Sequence, residues 1–504
     1  MTKVNCLVLF ASIAAVCVLA PQLSATQNFY VDPDWKGAKL GTSSAPWITL
    51  DTAAWTVIDT ALKNDSVAVY FSARSSSSDV NQRSSAAVNL RRSDQGDHWL
   101  TLDGMSFYNA NDSSPSWTAY NGPSRFEVTS TYPFSTVNDS DGIIRRNWTV
   151  RGFIFVALEG QPAFLGSPVN AIFEENRLSA TATCTLGPGL IIAAPQRVFG
   201  RNLIIRKNRI AKVFGEGIYV AGWYDSPITA TSGQDLLIEE NEISDIGYVG
   251  GEGDGIDIKD GWTGVVIRGN RVYMTRPATG RDGIISNSAA TIQGNLVYNM
   301  GRAGITLDES YSKNDGFWTG TEIRENVIVE CGGNPLYSWG RGINQPGMGS
   351  VYRFITPKII NNTVVRTKHS IQDEARGIYV GSTTSPGEVS ANIIVNSSGP
   401  EFEWWSVPTA GQHERNLYFG GSSDKILIKY STGTYTANTI KNYESTAVST
   451  DPIFVNSQPP YSREGFAPKP ESPVCGLGIG AVTTSQCQAC SATTEPRLLR
   501  SSQN

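Results

Sequence analysis

The chain has 504 residues and a formal charge of −5, with 40% hydrophobic and 17% charged residues. Charge this sparse excludes a coiled coil, 10% aromatics exclude a disordered chain, and the lack of any basic block sets nucleic acid aside as a partner. The 49 glycines favour many short strands joined by turns over helices.

The N-terminus reads as a targeting segment. Lys3 precedes an apolar run from Leu7 to Ala20, followed by Leu23-Ser24-Ala25 with its small terminal residue, so residues 1–25 are expected to be a secretory signal peptide. The run is too short to span a bilayer, and no later segment is long and apolar enough to do so. A secreted, extracellular monomer with no membrane partner is the expectation. Sequons at Asn64, Asn111, Asn138, Asn147, Asn361 and Asn396 agree with a glycoprotein.

Residues 26–146 are read as an N-terminal cap with the first strands. One helical stretch, Thr49 to Leu62, has Asp51 or Thr52 as its N-cap. An amphipathic helix there covers the open end of a stacked structure, which is otherwise an edge prone to aggregation.

From 147 to 415 the chain repeats itself. Ile172-Phe-Glu-Glu-Asn176-Arg-Leu178 recurs around Asn208, Asn241, Asn270, Asn295, Asn326 and Asn362, and more weakly at Asn392, with 25 to 36 residues between copies. Between the asparagines lies a second strand that opens on glycine: Gly217-Ile-Tyr-Val220, Gly255-Ile-Asp-Ile258, Gly283-Ile-Ile-Ser286, Gly304-Ile-Thr-Leu307 and Gly377-Ile-Tyr-Val380. A unit this small cannot bury its own apolar face, so units must stack, about 4.7–4.9 Å apart. A column of buried asparagine amides then bonds from rung to rung. The fold class is all-β: a right-handed parallel β-helix, a solenoid of about eight or more coils, with an N-terminal helical cap. A C-terminal cap at 416–481 and a tail at 482–504 complete the chain.

The cysteines follow the same geometry. Cys184 and Cys331 stand five rungs apart, about 24 Å, and cannot pair. Cys475 with Cys487 or Cys490 is the disulfide expected in an oxidising compartment.

Chemistry concentrates on the glycine strands. The position before the glycine holds Glu216, Asp254 and Asp282 on consecutive coils; Asp257, Lys259, Asp260, Asp308 and Glu309 follow the glycines, and Arg281 and Arg302 precede the acids. Strand alternation sends Ile256 and Ile258 inward and Asp257 and Lys259 outward. Acids stacked one rung apart repel unless a cation or arginine intervenes or one stays protonated. Calcium on oxygen ligands, a catalytic acid/base pair and a solvated face neutralised by Lys259, Arg281 and Arg302 are the three readings of that density. With only His98, His369 and His413 present, a histidine-based zinc site or a Ser-His-Asp triad is poorly supplied. Tyr219, Trp223, Tyr224, Trp262, Trp318, Tyr337 and Trp339 are the aromatics near this face; Tyr219, Trp262 and Trp339, with Asp308 and Glu309, are the candidate substrate-binding residues.

Tyr30-Val-Asp-Pro33, Gly41-Thr42, Pro46-Trp47 and Thr49-Leu50 resemble the opening of secreted pectate-lyase-like β-helix proteins. Asp451-Pro-Ile-Phe-Val455 with Phe466, Pro470 and Ser472-Pro473 is similar to their ending. Gly253-Asp254-Gly-Ile-Asp257-Ile-Lys259 looks like the Asp-Gly strands that hold calcium in the lyases, which implies Asp254 and Asp257 as ligands, with Glu216 or Asp282 added from a neighbouring coil. Gly253 and Arg281 stand where the lyases often carry another acid. The implied activity is β-elimination on an acidic, uronate-containing polysaccharide. Arg281 and Arg302 would neutralise the carboxylate and Lys259, or an arginine, would take the proton. A glycoside hydrolase using Asp254 and Asp282, a C5-epimerase and a carbohydrate-binding or wall-associated protein are the alternatives.

Overall fold

A computed structural model of the chain describes residues 27–72, 82–91, 96–109, 116–119, 125–136, 145–184, 187–193, 200–221, 233–247, 253–276, 280–308, 318–346, 354–355, 357–381, 387–404, 412–430 and 433–482. The signal-peptide expectation therefore lies outside the described residues.

Three long sheets, of 14, 12 and 13 strands among the described residues, run side by side. The chain visits them in rotation. Arg201–Arg206 lies in the first sheet, Arg209–Val213 in the second and Ile218–Val220 in the third, before Gly233–Glu239 returns to the first. Neighbours in each sheet pair in parallel and in register, as in Leu203↔Leu236, Ile210↔Ile243 and Ile218↔Ile256. This is a parallel β-helix. Parallel stacking starts well before residue 147: Gln27–Val31 pairs with Val67–Ser72, which pairs with Leu100–Asn109.

The repeating isoleucines fill the interior. Ile218, Ile256, Ile284, Ile305, Ile343 and Ile378 stack on successive coils, and each is fully buried. Burying each side chain contributes about 1.5–3 kcal/mol. At the N-terminal end, helix Thr52–Leu62 lies over the core through Trp55, Ile58 and Leu62. Asp51 is its N-cap, its Oδ1 accepting the Ala54 N–H at 2.9 Å.

The asparagines form the ladder that their period predicts. Asn241 Nδ2 donates to Asn270 Oδ1 at 2.9 Å and to the Ile205 carbonyl at 3.0 Å, and the Asn241 N–H also donates to Asn270 Oδ1. The same set recurs from Asn208 to Asn416, with Asn176 accepting the Phe153 N–H at the N-terminal end. At the C-terminal end Glu444 replaces the next amide, accepting from Asn416 N–H at 2.7 Å and from Tyr418 Oη at 2.9 Å. The residue before each ladder asparagine has a positive φ, from 54° at Glu240, Asn361 and Ala391 to 67° at Gly294. A left-handed residue costs a non-glycine side chain about 1–2 kcal/mol. The amide bonds of the next residue hold the chain in that sharp corner between the first and second sheets.

Asn147 belongs to a second, shorter ladder: it accepts from Asn170, which accepts from Asn202, each at 2.8 Å. Its side chain is thus committed inside the fold, whereas Asn64 and Asn396 are exposed.

The C-terminal region divides into two parts. Residues 428–448 close the end of the helix, with Ile440 and Ala447 joining the core and Val448 bridging to Leu417. Residues 454–481 instead run back along the outside of the second sheet, where Tyr461, Phe466, Val474 and Ile479 cover Tyr298, Val329, Val365 and Ile393. From Leu296 onward the second sheet is apolar on both faces, and this segment buries the outer one. Cys184 and Cys331 are buried thiols, and Cys475 is disulfide-bonded.

Asn270→Ala removes the acceptor of two buried Asn241 donors, each left unsatisfied at about 1–3 kcal/mol. A loss of about 3 kcal/mol is expected, read as a lower urea midpoint, while Asn64→Ala at an exposed turn leaves the midpoint unchanged.

Candidate functional site

The third sheet carries the chemistry because of where its glycines sit. A Cβ on Gly255 would lie 2.3 Å from Val272 Cγ1, and one on Gly283 2.2 Å from Val297 Cγ1. Only glycine lets the strand press against the second sheet there, so the residue before it turns to the outer face. The following isoleucine points inward, and the residue after that points out again.

Two rows result along the outer face. One reads Glu216, Asp254, Asp282, Ala303, Arg341, Arg376 on successive coils. The other reads Tyr219, Asp257, Ile285, Thr306, Asn344, Tyr379, Glu403, Lys429.

Glu216, Asp254 and Asp257 converge, each offering a carboxylate oxygen within 4.8 Å of the others. Glu216 is half-buried, and Asp254 and Asp257 are buried. The face points outward without being solvated. Lys259 Nζ sits 2.7 Å from Asp257 Oδ2, while Asp257 Oδ1 has no hydrogen-bond partner. Asp254 Oδ1 accepts the Asp282 backbone N–H at 2.9 Å. Burial pushes the Asp254 carboxyl well above the usual carboxylate range; Asp282 and Asp257 push it further, against Arg281 and the Asp282 N–H. Burial raises Asp257 to about 6, opposed by Lys259 and helped by Glu216 and Asp308.

Asp282, expected as a ligand, stands apart from this trio. Arg302 grips it with both arms of the guanidinium, Nε to Oδ1 at 2.8 Å and Nη2 to Oδ2. Burial lowers the hold of Arg302 on its proton, the pairing with Asp282 outweighs it, and the guanidinium is engaged by Asp282. Arg281 is half-buried and its charge acts on Asp254.

Tyr219 lies with its ring centroid 5.7 Å from Lys259 Nζ, and Trp339 lies between Arg302 and Arg341, at 5.2 and 5.1 Å from their guanidinium carbons. Both flank the outer face. Trp262 does not: it opens a first-sheet strand, is 1% exposed and donates Nε1–H to the Ala221 carbonyl at 3.1 Å. It packs over Gly233, where a Cβ would lie 2.3 Å from its ring. It is a core residue and cannot stack on a sugar. Asp308 is buried, its backbone carbonyl accepting from Asn287 Nδ2 at 2.8 Å. Glu309, Trp223 and Tyr224 lie outside the described residues.

Sequence reasoning missed Arg341 and Arg376. Their signal is present: Arg341-Gly342-Ile343 and Arg376-Gly377-Ile378 have the pattern of Asp282-Gly283-Ile284. A search directed at acids passes over them.

Residues 200–397 match the family model described as a right handed beta helix region. The chain is a right-handed parallel β-helix protein. No curated protein matches it. Among solved structures it is similar to an alginate lyase from a Paenibacillus strain, with 15% identity over 69% of this chain and 96% of that one and a TM-score of 0.41. A pectate lyase shares 13% identity over 78% of this chain and 80% of its own, with a TM-score of 0.40. The catalytic unit of an α-1,3-glucanase from Streptomyces thermodiastaticus shares 14% over 83% and 66%, with a TM-score of 0.37.

A hard cation takes oxygen ligands, and the trio offers three carboxylates from two adjacent coils of this β-helix, one with an unpartnered buried oxygen. The donor set therefore fits a hard metal cation. Without a cation, the two raised acids bind protons in the fold that the unfolded chain has already lost. Stability is then highest below their ordinary pKa of 3.8 and falls as pH rises through their raised values, about 6 for Asp257. In chelator, the wild-type Tm is expected to drop more between pH 5 and pH 8 than that of a D254N/D257N double variant; equal drops in the two proteins contradict the raised acids.

Proposed function

We propose that this β-helix is an extracellular carbohydrate-active enzyme, a lyase that cleaves a uronate-containing polysaccharide by β-elimination. The observation that carries the reading is the convergence of Glu216, Asp254 and Asp257 beside Lys259 on the outer face of the third sheet. Three acids crowded within 4.8 Å are costly to the fold unless something cationic is held between them.

In this reading Glu216, Asp254 and Asp257 hold calcium. When bound, the ion neutralises the uronate carboxylate and acidifies the adjacent C–H. Lys259 is the base. Its ammonium lies 2.7 Å from Asp257 Oδ2, so Asp257 positions it. With Asp257 drawn to the cation, the ammonium gives up one proton to solvent, and the neutral amine takes the proton next to the carboxylate. The C–H electrons form the double bond, the glycosidic C–O bond breaks, and the departing oxygen takes up a proton. Tyr219, within 5.7 Å of Lys259, offers an aromatic edge to the sugar.

A second reading is favoured by one distance. Carboxylate oxygens of Asp254 and Asp257 approach to within 4.8 Å, below the roughly 6.5–9.5 Å of an inverting glycoside hydrolase, which leaves the retaining kind.

A panel of acidic polysaccharides, incubated with and without calcium, separates the two. Ultraviolet absorbance of the unsaturated uronate is expected, dependent on calcium. Lys259→Met is expected to lower kcat at least 100-fold with KM little changed. Reducing ends without absorbance select the hydrolase, and neither product on any substrate overturns the enzymatic reading.

A further inference from the structure

Arg341 occupies the column of Asp254 three coils further along, about 14 Å away. It is 6% exposed, and no carboxylate among the described residues forms an ion pair with it, whereas Asp282 pairs with Arg302 and Glu403 with Arg376. Its Nη1 donates to the Gly340 carbonyl at 3.2 Å and to the Glu374 carbonyl at 2.5 Å, which fixes the plane of the fork. The Trp339 and Tyr379 rings lie 5.1 and 4.5 Å from the guanidinium carbon. Nε is buried and has no partner.

That open Nε edge is the one by which Arg302 holds Asp282. Three positions along the same strand, the spacing at which Asp254 and Asp257 converge, Asn344 is buried with Nδ2 unpartnered. On the preceding coil, paired with Asn344, Thr306 is buried with Oγ1 unpartnered. The Nε of a buried guanidinium and two neutral donors, on two adjacent rungs, are thus left unsatisfied. Unmade buried hydrogen bonds cost about 1–3 kcal/mol each, and a buried charge without a counter-ion costs more. Burial and the neighbouring Arg376 push Arg341 down to about 10, which still leaves it cationic at neutral pH.

We infer that Arg341, Asn344 and Thr306 form a binding site for a carboxylate group of an acidic sugar, separate from the three-acid cluster and reached along the same face. The planar edge of the fork suits a carboxylate bidentately, and Asn344 and Thr306 supply donors beside it. Half-buried Trp339, between Arg302 and Arg341, provides a ring face for the sugar. The inference rests on the acidic-polysaccharide reading for the nature of the sugar, and not on the reaction.

The test is calorimetric titration of the full chain, in excess chelator, with tetragalacturonate and tetramannuronate. The same oligosaccharides reduced at their carboxyl groups, and a sulfated tetrasaccharide, serve as comparison. At least one tetrauronate is expected to bind the wild type, and R341Q to weaken it at least tenfold. N344D, nearly isosteric and placing a competing carboxylate beside Arg341, is expected to cause a similar loss. The reduced sugars should bind wild type and variants equally weakly. Unchanged Kd in both variants, equal binding of reduced and acidic sugars, stronger binding of the sulfated sugar, or no binding to the wild type overturns the inference. Because the titration reads binding in chelator, a lack of lyase product would overturn the proposed reaction while leaving this site standing.

Discussion

In-register parallel hydrogen bonding places each residue of one coil about 4.8 Å from its equivalent on the next. Every other feature of this molecule answers that constraint. Side chains that gain from a copy of themselves above and below form the scaffold: isoleucine inside, asparagine at the corner between first and second sheets. Asparagine suits its place because it carries both donor and acceptor, so each amide can satisfy the one before it. The ladder ends where the coils end, and there Glu444, an acceptor without donors when ionised, receives the last amide.

The same spacing is hostile to charge. A column of Glu216, Asp254 and Asp282 repeats a negative group where repetition costs most. The protein resolves each contact differently. Arg302 neutralises Asp282, Lys259 neutralises Asp257, and burial keeps Asp254 drawn toward its protonated form. Farther along the column the sign reverses to Arg341 and Arg376, of which only Arg376 forms an ion pair with a carboxylate among the described residues. One face therefore presents clustered acids at one place and an unpaired guanidinium at another. Such an arrangement suits a ligand that carries its own anionic groups at intervals, with a cation shared at the acidic end.

Much of this was readable from the sequence, for one reason: repetition turns a weak local signal into a strong one. Asn176 alone says nothing, but its recurrence through Asn392 gives the corner, the stacking and the fold. The glycine strands placed Asp254, Asp257 and Lys259 on one outward face for the same reason. What stayed hidden depends on contacts that do not repeat. Trp262 reads like a surface aromatic beside an acidic patch, and only its packing over Gly233 makes it core. Residues 454–481 read as an end cap, yet they cover the outer face of the second sheet, whose apolar residues resemble core residues in sequence. That Asp282 belongs to Arg302 rather than to the ligand trio follows from side-chain reach across one rung, which spacing alone does not fix.

The central claim is that Glu216, Asp254 and Asp257 form one cation site on the third sheet. Calorimetric titration of the full, metal-free chain with calcium at pH 7.5 tests it most directly. One saturable site is predicted in the wild type, lost in Asp257→Asn and retained in Asn64→Ala. No heat of binding in the wild type, or the same binding in Asp257→Asn, would contradict the account.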